Sequence, residues 1–377
     1  MSQSFRVLHS ADLHLGRRFG TLPEALRGRL SEARHQILQR LADTARAQGA
    51  ADVVLAGDTF DTQTPSDRVW RQALTVMASD PALRWWILPG NHDSLQAETL
   101  WAGFIAQAPD NVTVITTQAP ITLRADVVLL PSPLQRRRPA SDPTGWMDQA
   151  TTPPGVMRLG LAHGSVQDFS SEGSTSEGVI APDRAQTAGL AYLALGDWHG
   201  HLTVGPRTAY SGTPEADRFR HDGCGGCLLV TLNPGALPSI ERMVTGQFHW
   251  SEAELPLLPG HDPAAALAAL IPADPAARRN HLLRVHATGR TRLAQHQSLG
   301  DAAANLAPDF AYFQLETNAL QTEVEAADLD HLDHGGALRI AAEALSAQAN
   351  DTTLSEADRR VATGALTRLF GYLRDAS

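Results

Sequence analysis

Five short apolar runs in this chain each lead into the same kind of polar ending. Phe5–His9 leads into Ala11-Asp12-Leu13-His14, Asp52–Ala56 into Gly57-Asp58, and Arg84–Leu88 into Gly90-Asn91-His92-Asp93. Arg158–Ala162 leads into His163-Gly164, and Ala191–Leu195 into Gly196-Asp197-Trp198-His199. Apolar runs of this length read as buried strands. The carboxyl ends of strands in an open α/β sheet are where ligands bind. Polar groups gathered at one pocket need partners or a purpose, so the chain is expected to fold with these five ends together.

The remaining elements fit that frame. Leu30, Ala33, Ile37, Leu41 and Ala45 share one face of a helix predicted over 24–48, with Gly49 as its stop. A second helix is predicted over 66–79, and further strands at Val112–Ile115, Val127–Leu130, Thr208–Ser211, Cys227–Leu232 and Ser239–Val244. Strands alternating with helices, then strands in succession, predict a layered α/β core with antiparallel additions. Composition shifts near Leu255. The Ala/Leu/Pro-rich stretch 256–275 reads as a linker with one short helix. A strand at His281–Ala287, a helix at Arg292–Leu306 and a strand at Phe310–Thr317 make a small α/β unit. An acidic stretch, Glu323–Asp333, and two helices, Ala337–Ala349 and Leu354–Leu373, follow. The expected division is 1–250, 251–325 and a helical tail 326–377. The tail either folds back onto the body or offers a docking surface.

Composition narrows the chemistry. All 31 basic residues are arginine, which excludes Schiff-base lysines, lysine-adenylate ligation and a P-loop lysine. The formal net charge of −10 counts against tight autonomous nucleic-acid binding. No run of 18 apolar residues exists, so no membrane span is expected. Residues 1–8 lack the pattern of a secretory signal. With two cysteines, a reducing, cytoplasmic setting is expected.

Asp12 and His14, two apart, share a face of a strand. With Asp58, Asn91, His163 and His199 they form a set of oxygen and imidazole donors suited to Mn, Fe or Zn. Two divalent ions about 3.5–4 Å apart can clamp the attacking and leaving oxygens of a phosphoryl displacement. A bridging carboxylate, Asp58, fixes such a spacing, and an imidazole beside it, His92, can protonate the leaving oxygen.

The segments "SADLHLG", "AGDTFDTQTPS", "PGNHDS", "LAHG" and "LGDWHG" occur in that order. With them the sequence resembles the calcineurin-like binuclear metallophosphoesterases. Through "VLHSADLHLGRRF" and "YSGTPEADRF" it is similar to their SbcD-like branch of bacterial DNA-repair exonuclease subunits. The resemblance implies a four-layer αββα sandwich, a small α/β capping domain and a C-terminal tail that docks on an SbcC-like coiled-coil ATPase. It implies two divalent ions, Mn²⁺ by preference, and DNA as substrate, cut by a metal-activated hydroxide. Relatives often pair as homodimers through the phosphoesterase domain. Carried across, one ion takes Asp12, His14, Asp58 and His199. The other takes Asp58, Asn91, His163 and the residue two before His199, with His92 as the catalytic histidine.

That last position departs from the family's Gly-His-x-His. Asp197 stands where a histidine is expected, and a two-residue slip would use His199 and His201 instead. Keeping the glycine at the strand end favours Asp197. Asp61 either hydrogen-bonds His92 or caps a turn. Ser211 and Gly212 resemble a segment near the metals and are expected substrate contacts. The function implied is a DNA phosphodiesterase. A cyclic-nucleotide phosphodiesterase or phosphatase, and a weakly catalytic scaffold for the ATPase, are the alternatives.

Other features read as structural. His9 supports a ligand rather than being one, and His35 belongs to packing or surface. Cys224-Gly-Gly-Cys227 reads as a glycine turn before a strand, with one buried thiol. Arg136–Arg138 reads as a solvated loop, and Ser170–Gly178 as a compositionally flexible one.

Overall fold

The structure, a computed structural model, describes residues 4–166, 178–221, 223–323 and 336–375. The chain forms two compact units, Met1–Trp250 and Ser251–Ser377.

In chain order the first unit holds β1 (Phe5–Ser10), α1 (Glu24–His35), α2 (Ile37–Ala47), β2 (Asp52–Ala56), α3 (Asp67–Ala78), β3 (Arg84–Leu88), α4 (Glu98–Gln107) and β4 (Val112–Val114). It continues with β5 (Ile121–Arg124), β6 (Val127–Ser132), β7 (Met157–His163), α5 (Arg184–Thr187), β8 (Tyr192–Gly196), β9 (Leu202–Gly205), β10 (Thr208–Tyr210) and β11 (Gly223–Leu232). β12 (Ser239–Leu257) begins in this unit and ends in the next. One sheet runs β12-β11-β1-β2-β3-β4, the other β5-β6-β7-β8-β10-β9. β1 to β4 are parallel, as are β6, β7, β8 and β10, so their carboxyl ends lie on one edge of each sheet.

Strand periodicity builds the layers. Successive side chains point to opposite faces, and the central strands are apolar on both. Val7, Val54 and Trp86 pack between the sheets against Leu129, Leu159, Leu161, Tyr192 and Ala194. Their neighbours Leu8, Val53, Leu55 and Trp85 pack outward against Ile37, Leu41, Trp70, Leu74 and Phe104 of the helices. On the far side of the second sheet, Val128, Leu130 and Leu193 meet Met147, Ala185 and Leu190. The result is helix, sheet, sheet, helix, as the α/β sandwich expectation required.

Several boundaries differ from the sequence reading. The helix expected over 24–48 is two helices meeting at Gln36. Helical hydrogen bonds continue on both sides, Gln36 N–H to the Glu32 carbonyl at 2.9 Å and Arg40 N–H to the Gln36 carbonyl at 3.2 Å. The junction is therefore an irregularity in one rod, not a loop. α4 escaped the pattern because Leu100, Trp101, Ala102 and Phe104 give it no cleanly polar face. β12 runs well beyond Val244, because a bulge opposite Cys224–Gly226 lets the pairing resume as far as Trp250. Cys224 and Cys227 lie within β11 at that bulge, not in a turn before it. A Cβ on Gly225 would stand 2.6 Å from the Glu215 backbone, so the glycine is demanded by close approach of two chain segments. Arg136–Arg138 is exposed. The glycine- and serine-rich stretch 170–177 and the acidic stretch 324–333 lie outside the described residues.

The second unit contains α6 (Pro263–Leu270), α7 (Pro275–Arg278), β13 (His281–Arg292), α8 (Leu293–Leu306), β14 (Tyr312–Glu323), α9 (Ala337–Asn350) and α10 (Glu356–Asp375). β13 and β14 are parallel, joined through α8. Leu255, Leu257, Leu267, Leu283, Val285, Leu299 and Phe310 form its core. The helices α9 and α10 pack on each other. Ile340 and Val361 stay exposed, at 66% and 71%. Among the described residues no helix is long and apolar enough to cross a membrane.

Candidate metal centre

Backbone pairing brings the first two strand ends together. Asp12 N–H donates to the Gly57 carbonyl at 3.1 Å, His14 N–H to Asp58 at 2.9 Å, and Leu15 N–H to Thr59 at 2.9 Å. The turns are tight enough to need unusual backbone. Asp12 (φ 55°), His14 (φ 45°), Asp58 (φ 54°) and Asp197 (φ 106°) are the non-glycine residues with positive φ among the described residues. Each such conformation costs about 1–3 kcal/mol and persists only where its surroundings enforce it. Asp and His tolerate it better than most residues. All four belong to the set expected to bind metal.

Glycines hold the space. A Cβ on Gly57 would stand 2.1 Å from His163 Nδ1, and one on Gly90 2.2 Å from Asp58 Oδ1. A Cβ on Gly196 would stand 2.0 Å from the Ala56 carbonyl. Removing three side chains is what lets five strand ends approach one another.

His92, His163 and His199 are hydrogen-bonded through Nδ1, whereas the buried His14 Nδ1 has a carboxylate beside it but no hydrogen-bond partner among the described residues. His14 Nδ1 lies 3.2 Å from Asp61 Oδ1, and His199 Nδ1 3.0 Å from Asp217 Oδ2. His92 Nδ1 meets the Asp61 carbonyl at 2.9 Å, and His163 Nδ1 the Ala56 carbonyl at 2.8 Å. In His14, His163 and His199 it is Nε2 that faces the cluster. His14 Nε2 is 3.2 Å from His199 Nε2 and 3.6 Å from Asp58 Oδ2. His199 Nε2 is 4.0 Å from Asp12 Oδ1. His163 Nε2 is 3.6 Å from Asp58 Oδ1 and 3.8 Å from Asp197 Oδ1. Asn91 Nδ2 donates to Asp197 Oδ1 at 2.9 Å, and the His92 amide donates to Asp58 Oδ1 at 2.8 Å.

These donors fit a pair of cations. Groups about 2.0–2.2 Å from one tetrahedral ion stand roughly 3.4 Å from each other, which is the spacing seen. Asp12, His14 and His199 converge closely enough to hold an ion, as do Asp12, Asp58 and His163. Asp58 presents one oxygen to His14 and the other to His163, the disposition of a bridge. His163 Nε2 and Asn91 Oδ1 are buried with no hydrogen-bond partner among the described residues. Such orphans are costly unless something else satisfies them.

The electrostatics point the same way. Burial lifts the Asp12 carboxyl to about 7, and Asp58 and Asp197 add to the rise. Burial works against a charge on His163, yet Asp58, Asp12 and Asp197 draw it up to about 9. A buried group of carboxylates that takes up protons in this way attracts a cation.

At the last motif Asp197 and His201 stand in different surroundings. Asp197 faces Asn91 and His163, whereas His201 is exposed, with Nδ1 3.2 Å from the Tyr210 carbonyl. Asp61 does not meet His92 through its side chain. Its carboxylate turns to His14 and to Arg17, 3.7 Å away, while its carbonyl meets His92. Ser211 is buried, its hydroxyl donating to the Gly212 carbonyl at 3.1 Å. A Cβ on Gly212 (φ +73°) would meet the backbone of His199 and Gly200 at 2.8 Å. His9 is held between the Tyr192 hydroxyl and the Leu195 carbonyl, where burial depresses its pKa to about 3.

Two residues escaped the sequence reading. Asp93 accepts the Gly90 amide at 2.7 Å and the Phe60 amide at 3.0 Å, tying two strand-end loops together. Asp217 reaches the centre from the segment after β10. Both sit inside the motif segments, but nothing in their spacing marks them, because their partners are backbone groups and distant side chains.

Comparison with known proteins agrees with this geometry. The family model described as calcineurin-like phosphoesterase matches residues 5–151. "Uncharacterized metallophosphoesterase YhaO" of Bacillus subtilis (strain 168) is 25% identical over 270 residues, 67% of this chain and 63% of that protein. The SbcD subunit of the nuclease SbcCD from Escherichia coli (strain K12) is 31% identical over 285 residues, 63% of this chain and 68% of that protein. Among solved structures, a purple acid phosphatase from yellow lupin (Lupinus luteus) seeds matches with TM-score 0.42 and 12% identity, over 65% of this chain and 52% of the other. With its strand-end motifs, the matching family model and the sequence similarity to the SbcD subunit, the chain belongs to the calcineurin-like metallophosphoesterases.

Proposed function

We propose that this chain is a Mn²⁺-dependent DNA phosphodiesterase, an exo- or endonuclease of DNA repair that works with an SbcC-like coiled-coil ATPase. The observation that carries the reading is the double donor set sharing Asp58, in a chain similar over 285 residues to a protein named as part of a nuclease. One cation would take Asp12, His14, Asp58 and His199, the other Asp58, Asn91, His163 and Asp197. Bound there, two divalent ions supply Lewis acidity at the phosphate and an activated water.

The remaining work falls to the chain. His92, its Nδ1 held by the Asp61 carbonyl, keeps Nε2 for a proton passed to the leaving oxygen. Asp61 aligns His92 by its carbonyl and sets its carboxylate 3.2 Å from His14 Nδ1. Gly212 lets the 211–213 backbone press against the His199–Gly200 backbone, and Ser211 and Gly212 line the pocket beside His199 into which substrate would reach. A net charge of −10 suits a protein that receives DNA from a partner better than one that captures it alone. In this reading residues 1–250 carry the chemistry, 251–325 cap the site and 326–377 dock on the ATPase, with pairing through the first of these.

Purified protein with Mn²⁺ should hydrolyse bis-p-nitrophenyl phosphate and degrade single-stranded or duplex-end DNA. His92→Ala should lower kcat about 10²–10⁴-fold, and Asp58→Ala should abolish turnover. Faster turnover of cyclic nucleotides than of any DNA would assign the site to small molecules instead. Deleting 337–377 should abolish ATPase association while sparing the model substrate. Unchanged association would remove the docking role from the tail.

A further inference from the structure

The segment after β10 carries a carboxylate with no place in the metal-centre reading above. Resting on that reading, we infer that Asp217 is a positioning residue, holding His199 through Nδ1 so that Nε2 presents its lone pair to the cation shared with Asp12 and His14.

Asp217 has no exposed side-chain surface and is surrounded by donors. Oδ2 lies 3.0 Å from His199 Nδ1 and 3.1 Å from Arg17 Nη1, and Oδ1 accepts from Arg218 Nε at 3.1 Å. An ionised carboxylate only accepts and a guanidinium only donates. Arg218 Nη2 lies within 2.9 Å of His199 Nδ1 and 3.1 Å of Nε2. Lying near both ring nitrogens, this guanidinium selects neither, and it is Asp217, able only to accept, that assigns the proton to Nδ1 and leaves the Nε2 lone pair for the cation. His14 Nε2, 3.2 Å away, faces the same point.

The bracket that carries Asp217 is tied to the backbone of the other two ligands. Thr213 Oγ1 lies 2.9 Å from the Asp12 carbonyl and 2.8 Å from the Glu215 carbonyl, so its one proton is shared between these two acceptors. The fully buried Arg34 donates to the Leu13 carbonyl at 2.5 Å and to the Glu215 carbonyl at 2.9 Å. Asp12, His14 and Asp217 therefore keep a common frame. His163 and His92 anchor Nδ1 on carbonyls, whereas His199 has a charged acceptor. Partners of this kind are worth about 10–100-fold in metal affinity.

The test is Mn²⁺ titration by calorimetry of chelator-treated full-length protein, with Asp217→Ala and Asp217→Asn beside wild type. The expected result is two equivalents in wild type. In Asp217→Ala one of them weakens about 10–100-fold while the other changes less than about twofold, and Asp217→Asn, which keeps an acceptor, lies between. Unchanged affinity, or equal loss at both sites, would overturn the inference. Nitrogen-15 histidine spectra of the metal-free wild type at pH 8, assigned with His199→Gln, need no Asp217 variant. They should show His199 protonated on Nδ1, and protonation on Nε2 would overturn the inference even if both Asp217 variants fail to fold. Wild type that binds fewer than two Mn²⁺ would sink the metal-centre reading itself, a result distinct from failure of the Asp217 role.

Discussion

The Asn91 side-chain amide donates to Asp197 Oδ1 at 2.9 Å, joining the end of β3 to the end of β8 across 106 positions of chain. The bond sets which way the amide faces: Nδ2 is spent on Asp197, and the buried Oδ1 has no hydrogen-bond partner among the described residues. It also ties the aspartate that departs from its family's usual histidine to the same set as His163. The formal charge of a loaded site falls with it. Two divalent ions with Asp12 and Asp58 leave +2, and Asp197 lowers this to +1, so a bound water should be less acidic than at an all-histidine position.

Asp197→Ala should weaken one Mn²⁺ equivalent by at least about tenfold, or about 1.4 kcal/mol. His201→Ala, an exposed residue bonded to the Tyr210 carbonyl, should leave both equivalents in place. Calorimetric titration of the two variants distinguishes them, and loss of an ion on replacing His201 alone would reverse the assignment.

Gly57→Ala should damage the centre without touching a donor atom. Gly57 has φ +94°, and its Cβ would stand 2.1 Å from His163 Nδ1 and 2.5 Å from its Cγ. Left-handed backbone costs a non-glycine residue about 1–2 kcal/mol, and displacing a fully buried ring adds to it. A drop in Tm of more than about 4 °C is expected, at roughly 2–4 °C per kcal/mol for a unit of this size, together with loss of one Mn²⁺ equivalent. A variant that keeps both ions and the wild-type Tm would show that the turn is not sterically closed.

Acid should loosen the loop around Asp142. Burial opposes ionisation of this carboxyl, but hydrogen bonds from the Thr144 hydroxyl and amide, Arg184 and the Ala181 amide hold it below the usual aspartate value. A depressed folded-state pKa gives stability that is present above the unfolded value of about 3.9 and lost as pH falls through the lower folded value. Asp142→Asn should therefore cost roughly 1.5–3 kcal/mol at pH 6, the range for hydrogen bonds to a charged group, and less at pH 3, below the unfolded value. Urea unfolding at the two pH values measures the difference. An equal cost at both would mean the charge is not what Arg184 recognises.

The two thiols should separate cleanly. Cys227 is buried in the core, its thiol pushed up to about 12 by that burial. Cys224 is half-buried, with Sγ 3.7 Å from His249 Nδ1. A disulfide-exchange reagent at pH 7.5 should titrate one thiol slowly in the native protein and two in urea. Two fast thiols in the native state would place the β11 bulge open to solvent.

Sequence alone marked the strand ends, because a strand buried on both faces must be apolar throughout and the first Asp, His or Asn after it stands out. That is why Asp12, His14, Asp58, Asn91, His163, Asp197 and His199 could be named from spacing and resemblance, and why a layered α/β core followed from alternating strands and helices, while the four-layer sandwich was implied by the resemblance. Tertiary structure decided what depends on the approach of distant segments. It set Asp197 rather than His201 beside His163, turned the Asp61 carboxylate to His14 instead of His92, and drew Asp217 and Arg34 in behind His199 and Leu13. It also showed why Gly57, Gly90 and Gly196 are glycines, since each faces an atom far along the chain. Periodicity and motif order are local properties that a sequence carries in full, whereas the side of a ring a carboxylate reaches depends on where three-dimensional packing leaves room for it.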